Sequence, residues 1–455
     1  MPFLSFLDME RSIAKPGFSR WLVPPAALAV HLSIGQVYAF SVFKNPLLAL
    51  KAADGSAWSL KEVGYIFSIA IAVLGLSAAL FGRWLEMAGP RKAMFVSATC
   101  FGSGFLIASL GVTSHSLALI YLGYGVVGGI GLGLGYISPV STLIKWFPDR
   151  PGLATGLAIM GFGGGAMIGS PLGTKLMALY KVSGHQPIAA AWVTMGVLYF
   201  LFMMFGVFSV RVPQKGWKPA GWSPKLNHSA LISAHNVDVN SAFTTPQFWL
   251  LWIVLCMNVT AGIGILEQAA PMIQDLFKGN VSPVAAAGFV GVLSLFNMAG
   301  RFFWASTSDF IGRKPTYMVF FIAGAALYLL LPYTEHLNSV ALFVLISGVL
   351  LSMYGGGFAT IPAYIKDLFG GYQVSAIHGR LLTAWSTAGI VGPLIVNGIL
   401  DHYVARHIPK QEAYPVILHI MAGLLVVGFL ANLLVRPVAE RHWAPSETPV
   451  VAGGR

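Results

Sequence analysis

Long apolar runs alternate with short polar connections along the whole chain, at about 21–48, 59–82, 92–112, 116–145, 152–178 and 189–210 in the first half. The second half continues the pattern at about 247–277, 282–307, 315–333, 338–365, 376–400 and 413–435. A hydrocarbon core about 30 Å thick takes roughly 20 helical residues to cross, so each run reads as one membrane span, numbered 1 to 12 in chain order. The stretch 211–246, "RVPQKGWKPAGWSPKLNHSALISAHNVDVNSAFTTP", is rich in Pro, Lys, Ser and Asn and too polar to cross. The pattern therefore predicts an N-terminal segment over 1–20, a six-helix bundle over 21–210, a linker over 211–246, a second six-helix bundle over 247–435 and a tail over 436–455.

The two halves repeat each other. "GRWLEMAGPRKAM", after span 2, resembles "ASTSDFIGRKPTY", after span 8; "YISPVSTLIKWF" (136–147) resembles "FATIPAYIKDLF" (358–369). A third pair is "GSPLG" (169–173) and "VGPLI" (391–395). The separations from Glu86 to Asp309, Lys145 to Lys366 and Pro171 to Pro393 are all about 222 residues. Parallel six-span repeats, related by an axis along the membrane normal, are an arrangement that builds alternating-access transporters.

Composition removes the soluble alternatives. Hydrophobic residues make up 56% of the chain and charged ones 10%, against about 25% charged in a soluble domain. The partner that such a surface needs is the lipid bilayer. A net charge of +12 would suggest nucleic acid in a soluble protein, but no nucleic-acid motif accompanies it. The lysines and arginines instead crowd the loops of one side by more than two to one, which predicts both termini in the cytoplasm; the plasma (inner) membrane is the expected location. Arg11, Lys15 and Arg20 precede span 1, but no compact apolar core with a small-residue cleavage site follows, so span 1 is expected to remain. Cys100 and Cys256 lie inside apolar runs and read as small buried hydrophobes. No cofactor or metal motif appears, and no catalytic constellation suggests an enzyme.

The acid–x–x–Gly–basic loop, present after spans 2 and 8, resembles that of the major facilitator superfamily. "GQVYAFSVF" in span 1 and "GLGLGYISPVSTLIKWFPDRPGLATGLAIMGFGGGAMIG" across spans 4 and 5 resemble the oxalate/formate antiporter family, which is close to the monocarboxylate porters. The resemblance implies an all-α membrane protein of twelve helices in two pseudo-symmetric bundles. It also implies that Glu86, Arg91, Asp309 and Arg313 form gating latches that hold the outward-open state; generic positive-inside anchoring is the plainer reading. The glycines of spans 4 and 5 read as close helix packing, and "GLGLG" follows no strand that would make it a nucleotide loop.

Ionisable groups inside a membrane cost about 2.5–3.5 kcal/mol on insertion scales and are functional hypotheses by default. Three stand out: His31, Glu267 and Arg301. Arg301 precedes Asp309 by eight residues, about 12 Å at 1.5 Å per residue, which puts it near the midplane. Its planar fork suits a carboxylate, and Asn297, one turn earlier, shares its face. The resemblance implies that this arginine binds the substrate carboxylate; a permanent pair with Glu267, or snorkelling, is the structural alternative. It also implies a lysine in span 11, yet "LLTAWSTAGIVGP" has none and Trp385 stands at that position. A dianion such as oxalate loses a partner there, whereas a monoanion does not. Gln36, Tyr38 and Tyr136, with Tyr354 and Trp385, are further candidates to line the cavity. Glu267 is a candidate for proton coupling because desolvation raises a carboxyl pKa; His31 is a weaker one beside a packing role.

The reading is a monomeric secondary transporter of small carboxylates, with formate, lactate or pyruvate favoured over oxalate, working as a proton symporter or an anion exchanger. A drug or organic-cation exporter of the same superfamily fits less well, because span 4 has no charge between Leu117 and Ile144 and a midplane arginine repels cations. A non-transporting membrane sensor would need a folded signalling domain larger than the linker or tail.

Overall fold

A computed structural model shows a nearly all-helical chain and describes residues 2–52, 55–222, 231–233 and 235–444. Residues 223–230 and 234 of the linker and 445–455 of the tail lie outside that description, as do the side chains of residues 2–4, 60, 267, 283, 284 and 287. Span 1 is Pro24–Ile34, continued by the 3₁₀ segment Gly35–Ala39 and by Ser41–Leu48. Spans 2 and 3 are Leu60–Ala88 and Pro90–Thr113. Span 4 runs through Leu117–Ile120, a π-helical Tyr121–Val127 and Gly128–Trp146; spans 5 and 6 are Pro151–Val182 and Pro187–Ser209. Spans 7 to 10 are Pro246–Leu276, Pro283–Ile311, Arg313–Leu330 and Val340–Phe369. Span 11 is broken into Val374–Leu381 and Thr383–Ala405, and span 12 is Ala413–Leu434.

Eleven spans among the described residues are long and apolar enough to cross a bilayer by length and composition. The remaining one, Arg313–Leu330, falls short because Arg313 and Lys314 dilute the apolar character of its 18 residues. Large apolar side chains such as Leu80, Leu201, Phe205 and Leu394 face outward, a surface that hydrocarbon suits and water does not. Small residues lie inside: a methyl on Gly104 of span 3 would stand 2.8 Å from the Gly128 amide nitrogen of span 4, so these backbones touch.

Local chemistry sets the helix starts. Proline opens spans 1, 3, 5, 6, 7 and 8, where its fixed φ suits the first turn and its missing N–H leaves no bond unmade. Ser59 and Glu62 form a capping box at the start of span 2. The repeat is visible in the turns: spans 2–3 and 8–9 are each joined by one glycine, Gly89 (φ 84°) and Gly312 (φ 90°). Other residues adopt that φ only with strain.

The halves meet through spans 2 and 11 and, in the equivalent place, through spans 5 and 8. On the face that carries the two motif loops, each contact is fastened by an acid at a helix end. Asp309, ending span 8, accepts the amides of Gly152 and Leu153 at the start of span 5, both at 2.8 Å. Glu86, ending span 2, accepts Ser375 N at the start of span 11 at 3.0 Å and pairs with Lys145 at 3.0 Å. Anions at helix N-termini satisfy amides that have no intrahelical partner.

The basic residues of the two motifs behave differently. Arg313 pairs with Asp309 (2.6 Å) and Asp367 (2.9 Å) and reaches Ser308 Oγ. Among the described residues Arg91 meets no acid. It donates to Phe6 O (2.9 Å), Arg11 O (3.1 Å) and Val210 O (3.2 Å), tying the N-terminal segment to the first bundle. The described part of the linker lies along the same face, with Ser233 N on Asp367 O at 2.7 Å and Val237 N on Phe369 O at 2.9 Å.

Candidate functional site

Arg301 of span 8 is fully buried between the halves. Its Nε donates to Asn297 Oδ1 at 3.1 Å, one turn earlier, and Nη1 reaches Ile159 O of span 5 at 3.4 Å. Nη2 is buried and has no hydrogen-bond partner among the described residues. The guanidinium lies over the rings of Phe358 (5.2 Å) and Phe162 (5.6 Å), whose faces attract a cation. Two glycines leave room for it: a Cβ on Gly163 would stand 3.0 Å from Nε, and one on Gly355 3.1 Å from Cγ. Span 5 of one half and span 10 of the other thus open a slot for a side chain of span 8.

Aromatic rings enclose this slot. Trp385 of span 11 packs on Phe358 (4.7 Å), Phe162 (5.3 Å) and Tyr136 (5.4 Å). Tyr38, Tyr136 and Tyr354 all lie within electrostatic reach of the guanidinium. Tyr136 Oη is buried beside the guanidinium without a close, well-aligned hydrogen bond among the described residues, while Tyr38 Oη is 3.3 Å from Tyr354 Oη, across the two halves. Ser386 of span 11 makes another neutral link between halves, donating to Ile71 O at 2.9 Å. A fixed cation and a phenol with unfilled hydrogen-bonding capacity therefore face an apolar box. An unmade bond at a buried donor is costly, and a small anion with two acceptor oxygens would make those bonds.

The other predicted residues divide by position. Both ring nitrogens of His31 face carbonyl oxygens, Nδ1 that of Ala158 and Nε2 that of Tyr136 at 3.1 Å, and its ring stacks on Tyr136 at 5.4 Å. This histidine supports Tyr136 from behind. Gln36 lies apart from Arg301, beside Gly169 and Tyr199, with Oε1 receiving Tyr124 Oη at 3.4 Å. Glu267 lies in the helix of span 7, and its side chain is outside the described residues. Among the described residues no carboxylate contacts Arg301.

Sequence reasoning missed Phe162, Phe358 and His378. Phe358 was accessible: it occupies the place of Tyr136 in the repeat, about 222 residues on. His378 lies near the start of the expected run 376–400, where a polar residue attracts no notice, yet the fold buries it with its ring 5.8 Å from Tyr136.

The family model described as Major Facilitator Superfamily matches residues 18–337 and 268–452. The oxalate:formate antiporter of Oxalobacter formigenes is 27% identical over 376 residues, covering 82% of this chain and 83% of its own. The apicoplast pyruvate carrier 1 of Toxoplasma gondii is 22% identical over 376 residues, covering 72% of this chain and 68% of its own. Among solved structures, the human organic anion transporter MFSD10 superposes with a TM-score of 0.65 at 14% identity, covering 92% of this chain and 100% of its own.

Proposed function

The chain belongs to the major facilitator superfamily, and from that membership we propose that it carries small monocarboxylates across the inner membrane by alternating access. The observation that carries this reading is Arg301: fully buried, with one terminal nitrogen unpartnered among the described residues. Nη2 and the Tyr136 hydroxyl bind the two oxygens of the carboxylate, and Asn297 holds the guanidinium in place through Nε. Phe162, Phe358 and Trp385 exclude water, which strengthens the charge pairing. The substrate's remaining groups are small, because Trp385 fills the side of the box on which a second cation would stand. The antiporter named above handles oxalate and formate; formate, lactate and pyruvate are the members of that chemistry that need one cation. Both termini and the motif loops face the cytoplasm, in keeping with the excess of Lys and Arg on that side.

The test is exchange and uptake of labelled formate, lactate, pyruvate and oxalate in proteoliposomes. Wild type should exchange one or more monocarboxylates faster than oxalate. Arg301→Lys keeps the charge but loses the fork, and should lower uptake at least about tenfold; Arg301→Ala should abolish it. Full uptake by both variants would remove Arg301 from the site.

A further inference from the structure

We propose that His31 is the proton site that accompanies the anion, becoming imidazolium when a carboxylate docks on Arg301 and returning to imidazole when it leaves. The inference rests on the carboxylate reading above. His31 belongs to span 1 and is fully buried. Its Nδ1 faces Ala158 O of span 5, and its Nε2 faces Tyr136 O of span 4 at 3.1 Å. A neutral imidazole carries one N–H, so it donates to only one of these carbonyls and turns a lone pair toward the other. Imidazolium carries two and donates to both. The backbone around this ring is therefore arranged for the protonated form.

The ring also sits beside the anion site. His31 and Arg301 take consecutive carbonyls of span 5, that of Ala158 and that of Ile159, the second at 3.4 Å. Phe162, one turn on, meets both, 6.5 Å from the imidazole ring and 5.6 Å from the guanidinium carbon. The two side chains lie within electrostatic reach of each other. Tyr136, whose hydroxyl lies beside the guanidinium, stacks on His31 at 5.4 Å.

Other titratable and charged groups on the elements packed against this helix are engaged elsewhere or distant. In span 4, Lys145 pairs with Glu86; in span 3, Arg91 bonds Phe6 O and Arg11 O, and Lys92 pairs with Asp8. Lys175, Tyr180 and Lys181 of span 5 lie at the far end of that helix. Tyr199 of span 6 packs on Phe101 and Phe105. Arg20, ahead of span 1, pairs with Asp149, and Tyr38, after it, meets Tyr354. From the second half, His378 is within electrostatic reach. Among the described residues no carboxylate faces His31, so the anion is what offsets its charge.

Coupling follows. Without anion, the Arg301 cation opposes a second positive charge on the same face of span 5. A bound carboxylate cancels that opposition, which low dielectric makes strong. The ring nitrogen that lacks hydrogen accepts a proton from water admitted as the halves part, and the new N–H donates to the carbonyl already in front of it. Anion and proton together leave the site with the single positive charge it carries when empty. Reciprocity requires the proton to raise anion affinity by the factor with which the anion raises proton affinity.

The experiment uses the purified full chain with formate, lactate and pyruvate. It measures anion binding against pH and, in weakly buffered solution with an indicator dye, the protons taken up per anion bound. Wild type should take up as much as about one proton per anion, and its affinity should rise by up to about tenfold per unit as pH falls through the histidine's titration. His31→Gln and His31→Asn should lose proton uptake and the pH dependence together, while His378→Gln and Glu267→Gln keep both. Anion binding by wild type without proton uptake would overturn this inference alone, as would wild-type uptake in either His31 variant. If neither His31 variant folds or binds, the other two decide: uptake that survives in both supports the proposal, and its loss in either overturns it. A wild type that binds none of the three anions overturns the carboxylate reading and this inference with it.

Discussion

Replacing Asp309 with asparagine should swing the carrier open on the face that carries the motif loops. The Asp309 carboxylate accepts Gly152 N and Leu153 N at 2.8 Å each and pairs with Arg313 at 2.6 Å, with its side chain 8% exposed. Asparagine keeps one acceptor oxygen, loses the charge and presents an NH₂ to a backbone N–H. Loss of a helix cap costs about 0.5–2 kcal/mol, and a hydrogen bond to a charged group is worth about 1.5–3 kcal/mol. Arg313 retains Asp367, which limits the damage to about 2–4 kcal/mol for the latch as a whole. At about 1.4 kcal/mol per factor of ten, the closed-to-open ratio on that face should fall about 30- to 1000-fold. Spin labels on the adjoining ends of spans 5 and 8, read by pulsed dipolar spectroscopy, should show the short distance of the wild type replaced by a longer one. Glu86→Gln should act in the same direction but more weakly, since Lys145 is 36% exposed and its pairing is screened. An unchanged distance distribution in the double variant would refute the reasoning.

Two further outcomes follow from the site and the loops. Gly163→Ala would place a methyl 3.0 Å from Arg301 Nε and 3.2 Å from Met298 Cα; the overpacking costs about 1–3 kcal/mol. It should weaken anion affinity about tenfold, measured by binding, while Gly64→Ala, with open space around it, leaves affinity unchanged. Arg91→Gln should release the N-terminal segment, raising amide exchange or proteolysis over residues 5–14, with no change in the distance between spans 5 and 8; loss of both together would give Arg91 the gating role instead.

Sequence and structure agree where one residue type has one physical use. Long apolar runs have no other solvent than lipid, so the spans were legible, span 9 included, although the two cations at its head lower its mean apolar character. Arg301 was legible because a charge in hydrocarbon is conspicuous. Its setting was not, since the partners that matter are a backbone carbonyl, two ring faces and two absent Cβ atoms, none of which has a signature in one dimension. Gln36 shows the opposite limit: a polar residue in a span can face its own bundle as well as the cavity, and a 3₁₀ segment over Gly35–Ala39 defeats a helical-wheel assignment. Arg91 and Arg313 match in the repeat, yet the docked N-terminal segment gives one of them different work.

The repeat also shows how a duplicated scaffold came to hold one cation. Trp385 stands about 222 residues after Gly163, so the position that is vacant beside Arg301 in one half is filled by an indole in the other.

The fastenings on the two sides of Arg301 are unequal. Toward the motif loops, carboxylates grip helix ends; on the other side, a phenol pair at 3.3 Å and the Ser386 hydroxyl bridge the halves. Neutral bonds of that kind contribute about 0.5–1.5 kcal/mol each. An idle carrier should therefore dwell with its mouth toward the compartment opposite the motif loops. An inhibitor applied from there would reach the arginine within one opening, whereas one applied from the loop side would have to wait for a complete turnover.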